Sequence, residues 1–332
     1  MPVPSARSAP HTNMAMNSDI VTITLNPAID QTVFLDRLQV GSVNRTGHHH
    51  RQPGGKGVNV SSMLSGYGIP SIATGFLGKE NPRLFKELFK SKGIRDEFVW
   101  IPGETRTGIK IVDQASHETT DINFPGLTPS FPDLQQFEKK LRKLVKPGRW
   151  FVVAGSLPAG VSLDFFEEIL VLIKQGGGKI AADTSGDALR IAIAAGADLI
   201  KPNHHELAEY LGHDLPDFAS RVSAATQLQK EKVPHVILSL GSEGALFLTP
   251  EKALMAAAPP VKVVSTVGAG DSILAGYLAG LTTGRSATDR AKLATVFAWC
   301  ALEDVRRQLP SHAEIQKRLP RIKVQPLSKM NS

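Results

Sequence analysis

The chain has 332 residues, enough for a sizeable core in two domains or one large α/β domain. Its 29 glycines and 22 prolines fall well short of low complexity, and 42% hydrophobic with 21% charged residues excludes a disordered chain or a fibre. Lys and Arg number 38 against 31 Asp and Glu, a net charge of +7. That excess is dispersed and unaccompanied by any nucleic-acid-binding motif, so the partners expected are small anions rather than nucleic acid.

Residues 1–19 are Ser/Pro/Ala-rich at their start and lack the apolar stretch of a signal peptide, so they are expected to form a disordered extension. Residues 20–25 are a first strand buried on both faces, stopped by Asn26-Pro27. From about 30 to 52 the chain alternates weakly and has no helical period, which fits short strands with one wet face. Gly54-Gly55-Lys56-Gly57 makes a turn, and a helix follows over 58–66. Next come a strand over 72–76, a helix over 82–92, and a hairpin of half-exposed strands over 107–113 and 119–124.

Beyond Pro129 the pattern becomes regular. Helices over 131–145, 162–175 and 186–195 each precede a strand, at 151–154, 179–182 and 198–200. Two further helices, 204–211 and 218–231, precede a strand over 236–239. The basic run Lys139, Lys140, Arg142, Lys143 and Lys146 lies on a helix between acidic neighbours and is a solvated face. Another helix begins near Gly270. The single cysteine, Cys300, lies in an apolar helix-like run and is a buried small hydrophobe, which suits a reducing compartment. No run approaches 18 apolar residues, so no membrane span is expected.

Strands alternating with helices predict a doubly wound, mostly parallel sheet with helices on both faces. The excursions at about 30–52 and 106–124 break that alternation and are expected to join as a small β-sheet lid. Ligands of such folds sit at the carboxyl ends of the strands, where the lid would close.

Four segments there carry candidate chemistry. In Gly268-Ala269-Gly270-Asp271, glycines at a helix start let backbone N–H groups approach an anion. Asp271 could take a proton from an attacking hydroxyl, or simply cap the helix. Gly54-Gly55-Lys56-Gly57-Val58-Asn59 is no Walker loop, because Gly57 follows Lys56, yet Lys56 and Asn59 could meet a phosphate or polyol. Asn203 and Glu206 could face a metal–phosphate complex or form a capping box. Asp30 could accept sugar hydroxyls or sit in a turn. The run His48-His49-His50 points alternately along an extended segment and is incidental.

Together these segments resemble the ribokinase-like (PfkB) carbohydrate kinases, in the branch holding 1-phosphofructokinases and tagatose-6-phosphate kinases. The resemblance is carried by Thr24-Leu25-Asn26-Pro27-Ala28-Ile29-Asp30, by Gly54 to Val60, and by Lys201-Pro202-Asn203-x-x-Glu206. It continues through Ser239-Leu240-Gly241-x-x-Gly244-Ala245 and Ser265 to Ser272. It implies one kinase domain over 20–327 and transfer of phosphate from ATP to the 6-hydroxyl of fructose 1-phosphate. Tagatose-6-phosphate or 6-phosphofructokinase activity is the alternative, and a non-catalytic sugar-phosphate sensor is the rival class.

The resemblance further implies Asp271 as base, with Gly268, Ala269 and Gly270 as the anion hole. It assigns Asp30, Gly55 and Asn59 to the sugar, Lys56 and Arg106 to its existing phosphate, and Ser156 to the substrate's neighbourhood. Lys201, Asn203, Ser239, Gly241 and Gly244 would line the ATP site, and Glu206 would organise Mg²⁺ through water. A cytoplasmic enzyme, dimeric through its lid, is expected. Val305-Arg306-Arg307-Gln308 departs from the small polar stretch usual beside the adenine and the monovalent-cation site.

Overall fold

The structure, a computed structural model, describes residues 20–329 except 117 and 307. The extension expected over 1–19 lies outside the described residues, as does Arg307.

In chain order, β1 (Ile20–Thr24) is followed by β2 (Ala28–Leu35), β3 (His49–Gly54), α1 (Lys56–Gly66), β4 (Ser71–Gly78) and α2 (Arg83–Lys92). Short strands β5 (Arg95–Asp96) and β6 (Val99–Ile101) precede β7 (Thr107–Asp113), β8 (Glu118–Asn123) and α3 (Phe131–Leu144). Then come β9 (Trp150–Ala154), α4 (Leu163–Gln175), β10 (Lys179–Asp183), α5 (Gly186–Ala194) and β11 (Leu199–Ile200). They lead to α6 (His204–Leu211), α7 (Phe218–Glu231), β12 (His235–Ser239), β13 (Ala245–Leu248) and β14 (Ala253–Ala257). The chain closes with α8 (Ala269–Thr282), α9 (Ala287–Glu303), α10 (His312–Arg318) and β15 (Lys323–Pro326).

The main sheet runs β15-β14-β13-β12-β11-β10-β9-β1-β4-β5, with β6 also on β4; it is parallel from β5 through β12. Its central strands are apolar runs because both faces are covered. Alternate residues serve alternate cores: Ile20, Trp150 and Val152 join the layer of α8 and α9, whereas Val21, Ile23, Phe151 and Val153 join that of α3 and α4. A doubly wound, mostly parallel sheet is therefore what the alternation of elements produces.

One edge differs from a simple extension of that alternation. β12, β13, β14 and β15 pair antiparallel. Ala253-Leu254-Met255-Ala256-Ala257 has helix-favouring residues, yet its register on β13 makes it a strand, a case of tertiary pairing overriding propensity.

The two excursions form a separate four-stranded sheet, ordered β3-β2-β7-β8. Within each excursion the strands are antiparallel, but β2 and β7 join in parallel, Ile29 opposite Thr107 through Leu35 opposite Asp113. Asp113 closes the β7–β8 turn by accepting the N–H groups of Ala115 and Ser116 at 2.9 and 3.0 Å.

Helices α8 and α9 cross closely because a Cβ at Gly276 would lie 2.7 Å from the Ala294 Cα. Among the described residues no helix is long and apolar enough to cross a membrane.

Candidate active site

The carboxyl ends of β1, β9, β10, β11 and β12 supply Asn26, Ser156, Asp183, Lys201 and Ser239 to one end of the sheet. Helix α8 points its N-terminus there. Gly268, in the left-handed region at φ 81°, is its N-cap and makes no side-chain cap. Its carbonyl accepts both the Ser272 N–H at 2.9 Å and the Ser272 hydroxyl at 2.7 Å.

Asp271 lies in the first turn and is only 6% exposed. It is not a capping residue. Its Oδ2 accepts the Asn59 Nδ2–H at 2.7 Å instead. Burial, reinforced by the nearby Asp183 carboxylate, pushes its carboxyl above the usual range, although Lys56, Asn59 and Lys201 oppose that shift. A carboxylate raised in this way is a stronger proton acceptor.

Asp183, 1% exposed, anchors the charges around it. Its Oδ1 accepts a hydrogen bond from the Lys56 ammonium at 2.8 Å, and its Oδ2 forms an ion pair with the Lys201 ammonium at 3.3 Å. Burial would raise the Asp183 carboxyl, but the two ammonium groups outweigh it and hold it below its ordinary value. Lys56 is raised chiefly by Asp183, with Asp271 and Glu206 adding to the effect against burial. The Lys201 ammonium stands where a Cβ on Gly270 would be 3.1 Å away, so it adjoins the backbone at the α8 N-terminus. Positive charge and N–H groups thus converge beside a buried carboxylate.

The Gly54–Gly57 turn lies tightly over the end of β1. A Cβ at Gly55, where φ is 113°, would be 2.8 Å from the Thr24 Cγ2. One at Gly57 would be 2.4 Å from the Thr24 Oγ1. Gly54 makes room for Asp30, since a Cβ there would approach the Asp30 Oδ2 to 2.5 Å. Asp30 is thereby kept at the root of the small sheet, buried on β2.

A second group gathers around Asn26. Its Nδ2 donates to the Ser156 Oγ at 3.0 Å. Arg106 donates to the carbonyls of Asn26 and Pro27 at 3.3 Å and of Phe124 at 3.4 Å. Burial lowers the Arg106 pKa, partly offset by Asp30. Arg106 and Ser156 therefore share Asn26, whereas the Lys56 ammonium belongs to the Asp183 group. Among the described residues Lys56 and Arg106 share no hydrogen-bond partner.

On the other side, Asn203 and Glu206 do form a capping box. The Asn203 Oδ1 accepts the Glu206 N–H at 2.9 Å, and the Glu206 Oε2 accepts the Asn203 N–H at 2.8 Å. Ser239 bridges this loop, its N–H and hydroxyl donating to the Pro202 carbonyl at 3.0 and 3.2 Å. Gly241 and Gly244 follow at φ 63° and 108°; a Cβ on Gly244 would be 2.3 Å from the Ala256 carbonyl oxygen. Among the described residues no cluster of three His, Cys, Asp or Glu could hold a metal. Asp183 and Glu206 are the carboxylates that act on Lys56 from outside α8, a sparse donor set that suits a cation carried mainly by phosphates.

The segment that departs from the resemblance abuts the small sheet. The Gln52 Nε2–H donates to the Val305 carbonyl at 3.0 Å, and the Arg306 Nε–H donates to the Asp304 Oδ1 at 3.3 Å.

Asp183 is the residue that sequence reasoning missed. With the strand ended at 182, Asp183-Thr184-Ser185 reads as a polar turn. The available signal was an acid directly at the carboxyl end of a buried apolar strand, where an unpaired charge is costly.

The fold, with a buried carboxylate and two ammonium groups at a helix start, is that of a phosphoryl-transfer protein. The profile of pfkB family carbohydrate kinases matches residues 23–313, and the chain belongs to that family. Within it, the chain is 40% identical over 302 residues to a 1-phosphofructokinase of Xanthomonas campestris pv. campestris, covering 89% of this chain and 95% of the relative. It is 40% identical over 296 residues to a 1-phosphofructokinase of Rhodobacter capsulatus, covering 89% and 94%. Among solved structures, phosphofructokinase-2 of Escherichia coli in complex with substrates and products superimposes with a TM-score of 0.85. That match has 27% identity and covers 91% of this chain and 98% of the other.

Proposed function

We propose that the chain transfers the γ-phosphoryl group of ATP to the 6-hydroxyl of fructose 1-phosphate, giving fructose 1,6-bisphosphate and ADP. The observation that carries this reading is the buried Asp271 carboxylate, raised in pKa and oriented by Asn59, beside the Lys201 ammonium at the start of α8. The 1-phosphofructokinase relatives support the choice of sugar.

In the reaction, Asp271 accepts the proton of the 6-hydroxyl as its oxygen bonds to the γ-phosphorus and the bond to the β-phosphate oxygen breaks. The N–H groups of Ala269 and Gly270, with Lys201 and Lys56, meet the charge on the transferring group. Asn59 holds Asp271 in line. Mg²⁺, when bound with the nucleotide, neutralises phosphate charge; Glu206 would hold its water shell, with Asp183 nearby. Asn203, Ser239, Gly241 and Gly244 would line the nucleotide, and Asp30 with Gly55 would hold the sugar hydroxyls. The small sheet would act as the lid, excluding water as a competing acceptor.

The direct experiment is turnover of ATP and fructose 1-phosphate followed by ADP release and product analysis. The expected product carries phosphate at both C1 and C6. ADP release independent of the sugar, or a product lacking the second phosphate, would contradict the reading.

Two substitutions test its parts. The hydrogen bonds of Arg106 to carbonyls are long, so it can exchange them for the sugar's existing phosphate. A charge-assisted contact of about 1.5–3 kcal/mol makes Arg106→Ala raise KM for fructose 1-phosphate by roughly 10- to 100-fold. KM for ATP stays almost unchanged; an equal rise in both would place Arg106 elsewhere. Glu206→Gln keeps the capping box, because glutamine serves equally at that position. It should therefore preserve thermal stability while raising the Mg²⁺ concentration needed for half-maximal rate. An unchanged Mg²⁺ dependence would leave Glu206 as a capping residue alone.

A further inference from the structure

A cleft of about 200 Å³ opens between β3, the half-buried Asn59 and Ser62 of α1, the end of α2 and the segment after α9. Three cations reach it from three different elements: Arg51 on β3, Lys92 at the end of α2, and Arg306. No acidic residue lines it among the described residues. Arg306 has Asp304 as a partner, but the side chains of Arg51 and Lys92 form no ion pair or hydrogen bond among the described residues. The Lys92 ammonium is half-buried, and burial alone lowers its pKa, with no carboxylate near enough to oppose the effect. Arg51 and Lys92 thus meet in a concave place without a counter-charge among the described residues, a setting that attracts an anion from solution. Neutral hydrogen-bonding side chains, Gln52 and Asn59 among them, complete the lining.

We propose that this cleft, which Arg106 does not line, binds a small phosphate-bearing anion, free or esterified, beside the reacting end and apart from the seat proposed for the sugar's own phosphate. Its position gives the anion two handles on the reacting end. Arg51 belongs to the small sheet, while Lys92 belongs to the main body, so an anion between them replaces their repulsion with a bridge. The bridge adds to existing links between sheet and body, among them the bond from Gln52 to the Val305 carbonyl and the packing of Ile29 against Val58 and Phe85. Asn59 lines the cleft while donating to Asp271 at 2.7 Å, so the occupant also bears on the group that orients the base. By reciprocity, whatever closes the small sheet onto the body tightens the anion, and the anion favours that closure. The inference goes beyond the proposed transfer reaction and does not depend on which sugar is phosphorylated.

The test is calorimetric titration of the full chain, at constant ionic strength, with inorganic phosphate and separately with glycerol 3-phosphate. In the wild type each should bind, and the tighter of the two identifies whether free phosphate or an ester is the natural source. Loss of one charge-assisted contact should weaken binding by about tenfold or more in Lys92→Gln and in Arg51→Gln. Lys90→Gln removes a cation from the same helix turn without touching the cleft and should bind as the wild type does. It also serves as the stability control for Lys92→Gln. Arg106→Ala should retain the site. Absence of binding, binding unaffected by Lys92→Gln, or binding lost in Arg106→Ala instead would overturn the proposal. So would a competitive rise in KM for the sugar phosphate in Lys92→Gln, because the cleft would then be the substrate's own phosphate seat.

Discussion

Asp271→Asn is expected to lower kcat by roughly 10²- to 10⁴-fold, to leave both KM values nearly unchanged, and to raise thermal stability at neutral pH. The first two effects follow from the base acting only as the proton leaves the hydroxyl. The third follows from the raised pKa. Burial and Asp183 make the ionised carboxyl unfavourable in the folded chain. The folded state therefore holds its proton at pH values where the unfolded chain has released it. The associated stability is complete below the ordinary carboxyl pKa and is lost as pH rises through the folded value. At neutral pH the Asp271 charge is thus a net cost, and asparagine removes it while keeping an oxygen to accept from Asn59. In the wild type the acid limb of the kcat profile should lie above the ordinary aspartate range. Near-normal kcat in the folded variant would remove Asp271 from the chemistry. A fall in melting temperature would contradict the electrostatic account.

Asp183→Asn should do the opposite to stability. Lys201, 6% exposed at its side chain, would be left buried without its counter-charge, whereas Lys56, 38% exposed, can turn to water. Breaking a buried pair in this way costs about 3–5 kcal/mol, or roughly 10 °C in melting temperature for a chain of this size. Because the Asp183 carboxyl is depressed, its contribution is present above the unfolded carboxyl pKa and disappears as pH falls through the folded value. The wild type should therefore lose its advantage over the variant in acid. Activity should fall too, as Lys201 is no longer held beside Gly270. Adding Lys201→Met should restore much of the stability and none of the activity. An unchanged melting temperature in Asp183→Asn would show that the two lysines do not depend on it.

What could be read from the residues follows from how local each cause is. The run Ile20-Val21-Thr22-Ile23-Thr24 announces a strand because both faces are buried. Asn203 and Glu206 announce a helix start because the two caps are three residues apart. The small sheet was legible as two interruptions of an α/β rhythm, but the parallel joining of β2 to β7 was not, since it depends on where the main sheet releases both segments. Strand β14 stayed hidden because only its pairing with β13 and β15 makes an alanine-rich run extended. In the site, Asp271 and the glycines around it were legible from one contiguous segment. Asp183 was not, because its significance comes from Lys56, 127 residues before it, and Lys201, just past the end of the next strand of the sheet. The same long-range pairing places the Lys56 ammonium on Asp183.

In the proposed reaction the acceptor is a hexose that already carries phosphate at C1. The most direct measurement is kcat/KM for fructose, fructose 1-phosphate, fructose 6-phosphate and tagatose 6-phosphate, at saturating ATP and Mg²⁺ with the same enzyme. Fructose 1-phosphate should be the best substrate and unphosphorylated fructose very poor, because Arg106 would have no phosphate to hold. Higher efficiency on either 6-phosphate would contradict the choice of sugar, and higher efficiency on fructose would contradict the phosphate-holding role itself.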